Sequence, residues 1–119
     1  MTKTVAIVDD DPSVRVATRN LVRSLGLSVR SFASAEELLT ALPTALIDCI
    51  VTDVQMSGLG GIELALTLRR QRQAIPIIFI TAFPDARVRE RALAAGGIGF
   101  LSKPFESGAL IDLIERALS

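Results

Sequence analysis

Short apolar runs alternate along the chain with longer stretches in which apolar residues recur every three or four positions. The first run, Val5-Ala6-Ile7-Val8, leads straight into Asp9-Asp10-Asp11. Its length, its β-branched residues and the polar groups around it predict a buried strand. Pro12 then suits the first turn of a helix, with Asp11 as its cap. Val14, Ala17, Leu21 and Leu25 recur at helical spacing, and Gly26 ends the segment. Leu27 to Phe32 predicts a second strand, less apolar and therefore nearer a sheet edge. Ser34-Ala35-Glu36-Glu37 has capping-box spacing ahead of Leu38, Leu39 and Leu42, and Pro43 closes that helix.

Ile47 to Val51 is the central run, interrupted only by Asp48, and it exits through Thr52-Asp53 into the loop Val54 to Gly61. Ile62 to Gln71 carries five aliphatic residues and a basic tail, Arg69-Arg70, which predicts a third helix. Pro76 to Thr81 predicts a fourth strand, with proline at its first residue, where a missing N–H does least harm. Asp85 can cap a fourth helix through Ala95, the weakest of the set. It holds few large apolar groups (Val88, Leu93), shows a polar face of Arg87, Arg89, Glu90 and Arg91, and stops at Gly96-Gly97. Ile98 to Ser102 predicts a fifth strand. Lys103-Pro104 introduces a last helix with Leu110, Leu113, Ile114, Ala117 and Leu118 on one stripe. Five strands alternating with helices predict an α/β fold: a five-stranded parallel sheet with right-handed crossovers and helices on both faces.

Composition narrows the picture. The length of 119 residues suits one domain over residues 1–119, and half the residues are hydrophobic, enough for a full core. Thirteen basic residues balance thirteen acidic ones, so no global charge points to nucleic acid or to an anionic membrane. The single cysteine, Cys49, lies inside the central run, which excludes an internal disulfide and suits a reducing compartment. No histidine is present, so catalysis or metal ligation by histidine is excluded. With no apolar stretch long enough to span a bilayer, and no signal-peptide core after Met1-Thr2-Lys3-Thr4, the expectation is a cytoplasmic domain.

The chemistry gathers where the strands end. In a parallel sheet all strands finish on one edge, and ligands bind in the crevice there. Asp9-Asp10, Asp53, Thr81 and Lys103 each terminate a predicted strand. Asp53 alone could be a turn former or a helix cap. Together, strand ends about 4.8 Å apart can converge on a single ion. Three clustered carboxylates repel one another, and oxygen ligands without His or Cys favour Mg²⁺ over zinc. Carboxylates, a cation, the Lys103 ammonium and the Thr81 hydroxyl suit a phosphoryl group.

Over its whole length the chain resembles the receiver domains of two-component response regulators. The matching residues are Asp9-Asp10-Asp11, Asp53 with Met56 and Gly60-Gly61 behind it, Thr81-Ala82, Gly96 with Phe100, and Lys103-Pro104-Phe105. It looks most like the FixJ group, whose receivers precede a DNA-binding output domain. The resemblance implies the strand order 2-1-3-4-5 of a flavodoxin-like, doubly wound sheet, which the hydrophobic pattern leaves open. It implies that Asp53 takes a phosphoryl group from a histidine kinase. It assigns Mg²⁺ to Asp10, Asp53 and the backbone carbonyl of Gln55, with Asp9 acting through a water. Lys103 and Thr81 would contact the phosphoryl oxygens, Phe100 would hold the aromatic switch position, and the Lys103-Pro104 bond would be cis. Asp11 stays a cap. Gln55 and Phe83 would flank the path of the hydrolytic water.

The same resemblance implies a signalling phosphoacceptor rather than an enzyme with an external substrate. Phosphorylation would remodel the face made by the fourth helix, fifth strand and last helix, and so control a homodimer or a DNA-binding output domain outside this chain. The domain itself would bind neither membrane nor nucleic acid. Arg87, Arg89 and Arg91 either pair across that face or solvate a surface helix. Ser57 stands where the family usually has proline, and with Gly58-Leu59-Gly60-Gly61 it suggests a less constrained loop. Gly97 and Gly99 suggest a loosened entry to the fifth strand. Rival readings fare worse. A haloacid-dehalogenase type of enzyme needs a second Asp where Gln55 stands, and a nucleotide-binding module needs a third glycine where Glu63 stands. A receiver fold that works as an interaction module without phosphorylation is the alternative.

Overall fold

The computed structural model describes residues 2–119. In chain order the elements are β1 (Thr4–Val8), α1 (Pro12–Arg23), β2 (Ser28–Phe32), α2 (Ala35–Ala41), β3 (Cys49–Asp53), α3 (Gly61–Arg70), β4 (Ile77–Thr81), α4 (Ala86–Ala94), β5 (Gly97–Ser102) and α5 (Ser107–Leu118). The five strands form one sheet in the order β2-β1-β3-β4-β5, and every pairing is parallel. Register sets the functional edge: Val8 lies level with Thr52, Asp53 with Ile80, and Thr81 with Ser102.

Alternating strand residues feed two cores. On one face Ala6, Val8, Ile50 and Phe79 pack with Leu38 of α2, Leu64 and Leu68 of α3, and Ala92 of α4. On the other, Val5, Ile7, Val51, Ile78 and Ile80 pack with Val22 of α1 and with Leu110 and Ile114 of α5. β3 and β4 are buried at every position, whereas β2 buries only Phe32, as its mixed composition predicts for an edge.

Local chemistry sets the boundaries. Asp11 caps α1 by accepting from the Ser13 N–H at 2.9 Å, with Pro12 in the first turn. Ser34 caps α2 by accepting from the Glu37 N–H at 3.1 Å. The return bond of that capping box differs from the usual form, because Glu37 Oε1 accepts from the Ala33 N–H at 3.1 Å. Asp48, the polar interruption of the central run, also has a purpose. Its carboxylate accepts from the Thr4 N–H at 2.8 Å and its own N–H donates to the Thr4 carbonyl at 2.8 Å, tying the start of β1 to the approach to β3.

Two expectations change. The deepest residues of α1 are Thr18 and Val22, while Ala17 is exposed. A threonine fills a core-facing position that apolar spacing passes over. The glycines of β5 tighten their strand rather than loosen it. A Cβ on Gly97 would lie 2.6 Å from the Phe79 ring, and one on Gly99 would lie 2.6 Å from Leu113. Their small size permits close packing of β5 against β4 and α5.

Candidate functional site

The carboxyl edge of the sheet carries the acidic cluster. Asp9 follows β1 and is fully buried, Asp10 is exposed beside it, and Asp53 closes β3 nearly buried. Each of the three offers a carboxylate oxygen, and these oxygens all lie within 4.8 Å of one another. Lys103, just beyond β5, reaches across the edge. Its Nζ donates to Asp9 Oδ2 at 3.0 Å and to Asp53 Oδ2 at 3.1 Å. Its backbone N–H donates to the Thr81 carbonyl at 2.7 Å, and the Lys103–Pro104 peptide is cis. Asp9 is held from behind: Oδ1 accepts from the Asp11 N–H at 2.9 Å, and Arg15 Nη1 donates to its carbonyl at 2.7 Å.

Burial, with the charge of Asp9 adding to it, raises the Asp53 carboxyl above the ordinary carboxylate value against the pull of Lys103. Burial opposes the Lys103 charge as well, but its hydrogen bonds to Asp9 and Asp53 outweigh that and hold the ammonium above its usual range. An all-oxygen donor set around one focus fits a hard divalent cation. Of the two carboxylates beside Lys103, Asp53 is the one that retains some exposure, so an incoming group meets it first.

Thr81 ends β4 fully buried and makes no bond to the acidic cluster. Its hydroxyl donates to Gln55 Oε1 at 2.6 Å and accepts from the Phe83 N–H at 3.0 Å. Gln55 connects the two groups, because its backbone N–H donates to Asp53 Oδ1 at 3.3 Å. Phe100 stands apart in β5, half-buried and level with Phe79, at the margin of the first core.

The loop after β3 is pinned, contrary to what its glycines suggest. The Ser57 N–H donates to Asp10 Oδ2 at 3.1 Å, and the Leu59 N–H donates to Glu36 Oε2 at 3.0 Å. Gly58 has φ 75°, a left-handed conformation that suits glycine. A Cβ on Gly61 would collide with the Asp53 carbonyl oxygen, so α3 starts flush against the Asp53 backbone. The glycines here allow contact. Sequence reasoning missed the bonds that Ser57 and Arg15 donate and the one that Glu36 accepts. Only Ser57 carried a signal, as an N–H donor in place of proline.

A doubly wound parallel sheet with an acidic cluster and a bridging lysine at its carboxyl edge defines a signalling domain of the receiver type. The chain belongs to the response regulator receiver domain family, whose model matches residues 5–115. It is similar to Nodulation protein W of Bradyrhizobium diazoefficiens, 42% identical over 113 residues, covering 95% of this chain and 50% of that protein. It is likewise similar to the Transcriptional regulatory protein FixJ of the same organism, 37% identical over 114 residues, covering 96% of this chain and 56% of that one. The chain thus spans about half the length of the curated relatives it matches. Among solved structures, FixJ-N superposes with a TM-score of 0.92 at 36% identity, covering 99% of this chain and 94% of that chain. The response regulator StyR superposes with a TM-score of 0.86 at 45% identity, covering 99% and 60%. The protein is a receiver domain of two-component signalling, and its relatives include transcriptional regulators. Among the described residues no helix is long and apolar enough to cross a membrane.

Proposed function

We propose that Asp53 accepts a phosphoryl group from a histidine kinase in the cytoplasm and that the resulting acyl phosphate switches the domain. The observation that carries this reading is the convergence of the Asp53 carboxylate with the Lys103 ammonium and the Asp9–Asp10 pair. An Asp53 oxygen attacks phosphorus, an O–P bond forms, and the P–N bond to the donor imidazole breaks with its electron pair returning to nitrogen. Lys103 favours the ionised carboxylate that burial disfavours, so the nucleophile is available. The same ammonium and the Thr81 hydroxyl then face the phosphoryl oxygens. Asp10, Asp53 and the Gln55 carbonyl would hold Mg²⁺, with Asp9 acting through a water. That ion supplies neutralising charge to the phosphoryl oxygens.

Water later hydrolyses the acyl phosphate with the same groups in place, so the domain assists its own reset without acting on an external substrate. The switch runs through Thr81 and Phe100 to the face formed by α4, β5 and α5. It controls dimerisation or a DNA-binding output domain outside this chain. Mass spectrometry after incubation with acetyl phosphate and Mg²⁺ tests the reading. One phosphoryl group is expected on residue 53 in the wild type and none in Asp53→Asn, which keeps its fold. Labelling that survives in Asp53→Asn refutes the acceptor assignment. A wild type that never labels points to an interaction module that works without phosphorylation.

A further inference from the structure

We propose that the Gln55 side chain is a latch on the Thr81 hydroxyl, holding it in the unphosphorylated arrangement. A threonine hydroxyl has one proton to donate. Here that proton is committed to Gln55 Oε1 at 2.6 Å, and an acceptor site on the same oxygen is taken by the Phe83 N–H at 3.0 Å. This leaves no donor from Thr81 for any other group. A phosphoryl oxygen on Asp53 can gain that hydrogen bond only if Gln55 lets go. The inference therefore rests on the reading of Asp53 as phosphoacceptor.

Gln55 is placed to sense both ends of the event. Its backbone N–H meets Asp53 Oδ1 at 3.3 Å, while its side chain holds Thr81 from a position otherwise exposed to solvent. A released Gln55 amide is taken up by water, so opening the latch costs only the net worth of one hydrogen bond. Thr81, fully buried, has no water to replace the acceptor and keeps a partner only by turning elsewhere. The latch thus biases an equilibrium between two hydrogen-bonded states rather than blocking one. Gln55 is a positioning residue that acts through Thr81, a task separate from flanking the hydrolytic water.

A double-mutant cycle with beryllofluoride at saturating Mg²⁺ tests this, with affinity read by ¹⁹F NMR in the wild type, Gln55→Met, Thr81→Val and the double variant. Methionine keeps the length of glutamine and removes the acceptor. Gln55→Met is expected to tighten beryllofluoride binding roughly 2- to 12-fold, the span of one hydrogen bond's net worth. In the Thr81→Val background the same substitution should change nothing. Unchanged or weakened binding in Gln55→Met overturns the latch, and so does equal tightening in both backgrounds. Failure of the wild type to bind beryllofluoride at all instead overturns the phosphoacceptor reading, and the latch falls with it.

Discussion

Lys103→Met is the most informative perturbation of the acidic edge. Methionine keeps most of the side chain's volume and deletes the charge that bridges Asp9 and Asp53 at 3.0 and 3.1 Å. Asp9 cannot turn to solvent, because its side chain is 0% exposed. Removing one partner from a buried pair costs about 3–5 kcal/mol. Lys103 keeps 17% of its side-chain exposure and Asp53 keeps 9%, so water screens part of the repulsion left behind. The expected loss is therefore about 2–3 kcal/mol in EDTA. At this chain length each kcal/mol moves the melting midpoint by about 4 °C, giving a fall of about 8–12 °C. Mg²⁺ can replace the missing charge, and saturation to 100 times Kd adds about 2.7 kcal/mol of stability. Urea melts of both proteins, with EDTA and with Mg²⁺, measure the two quantities. The variant should lose stability in EDTA and respond to Mg²⁺ more strongly than the wild type. A loss below about 1 kcal/mol, or an equal Mg²⁺ response, refutes the reasoning. In the wild type the Lys103 contribution is fully present below the lysine value of the unfolded chain. It is lost as pH rises through the higher folded value, so its window lies above the ordinary lysine range.

Three further outcomes are expected. Gly61→Ala drives a methyl against the Asp53 backbone carbonyl and should cost about 1–3 kcal/mol in urea melts; a neutral result refutes the close approach. Ser57→Pro removes the N–H that holds Asp10 Oδ2 at 3.1 Å and should weaken Mg²⁺ binding by about tenfold in a thermal-shift titration; unchanged affinity means Asp10 needs no such support. Burial, with Asp48 adding, pushes the Cys49 thiol up to about 12, so iodoacetamide should label the urea-unfolded chain and spare the folded one. As pH rises above the ordinary thiol value only the unfolded chain ionises, and that part of the stability is lost.

The sheet edge was legible in the sequence because a parallel topology aligns strand ends. Asp9, Asp53, Thr81 and Lys103 needed only strand boundaries correct to a residue or two, and β1, β3, β4 and β5 end within two residues of their apolar runs. Strand order was a different matter. Hydrophobic pattern says that β2 is an edge but not which strand it neighbours, and the family resemblance supplied the rest. The bonds at Gln55 and Leu59 were beyond reach, since loop paths depend on distant partners such as Thr81 and Glu36. The glycines misled for the same reason. A missing side chain reads as slack until the neighbour that fills the space is known, as Phe79 does at Gly97 and Leu113 at Gly99.

The close seating of α3 on Asp53 also bears on which elements beside the site are free to yield. The Val54 N–H donates to the Ile80 carbonyl at 2.9 Å and the Gly61 N–H to the Val54 carbonyl at 3.0 Å, so the backbone just beyond Asp53 is clamped from two sides. Behind it α3 buries Gly61, Ile62, Leu64, Ala65 and Leu68, whereas α4 buries only Ala92. Asp53 therefore sits against the most deeply packed helix, while α4 is the helix that buries least. Strain introduced at Asp53 would meet more packed surface in α3 than in α4. An asymmetry of this kind would let a perturbation at the densely packed centre be expressed most in α4, the helix with the least buried surface.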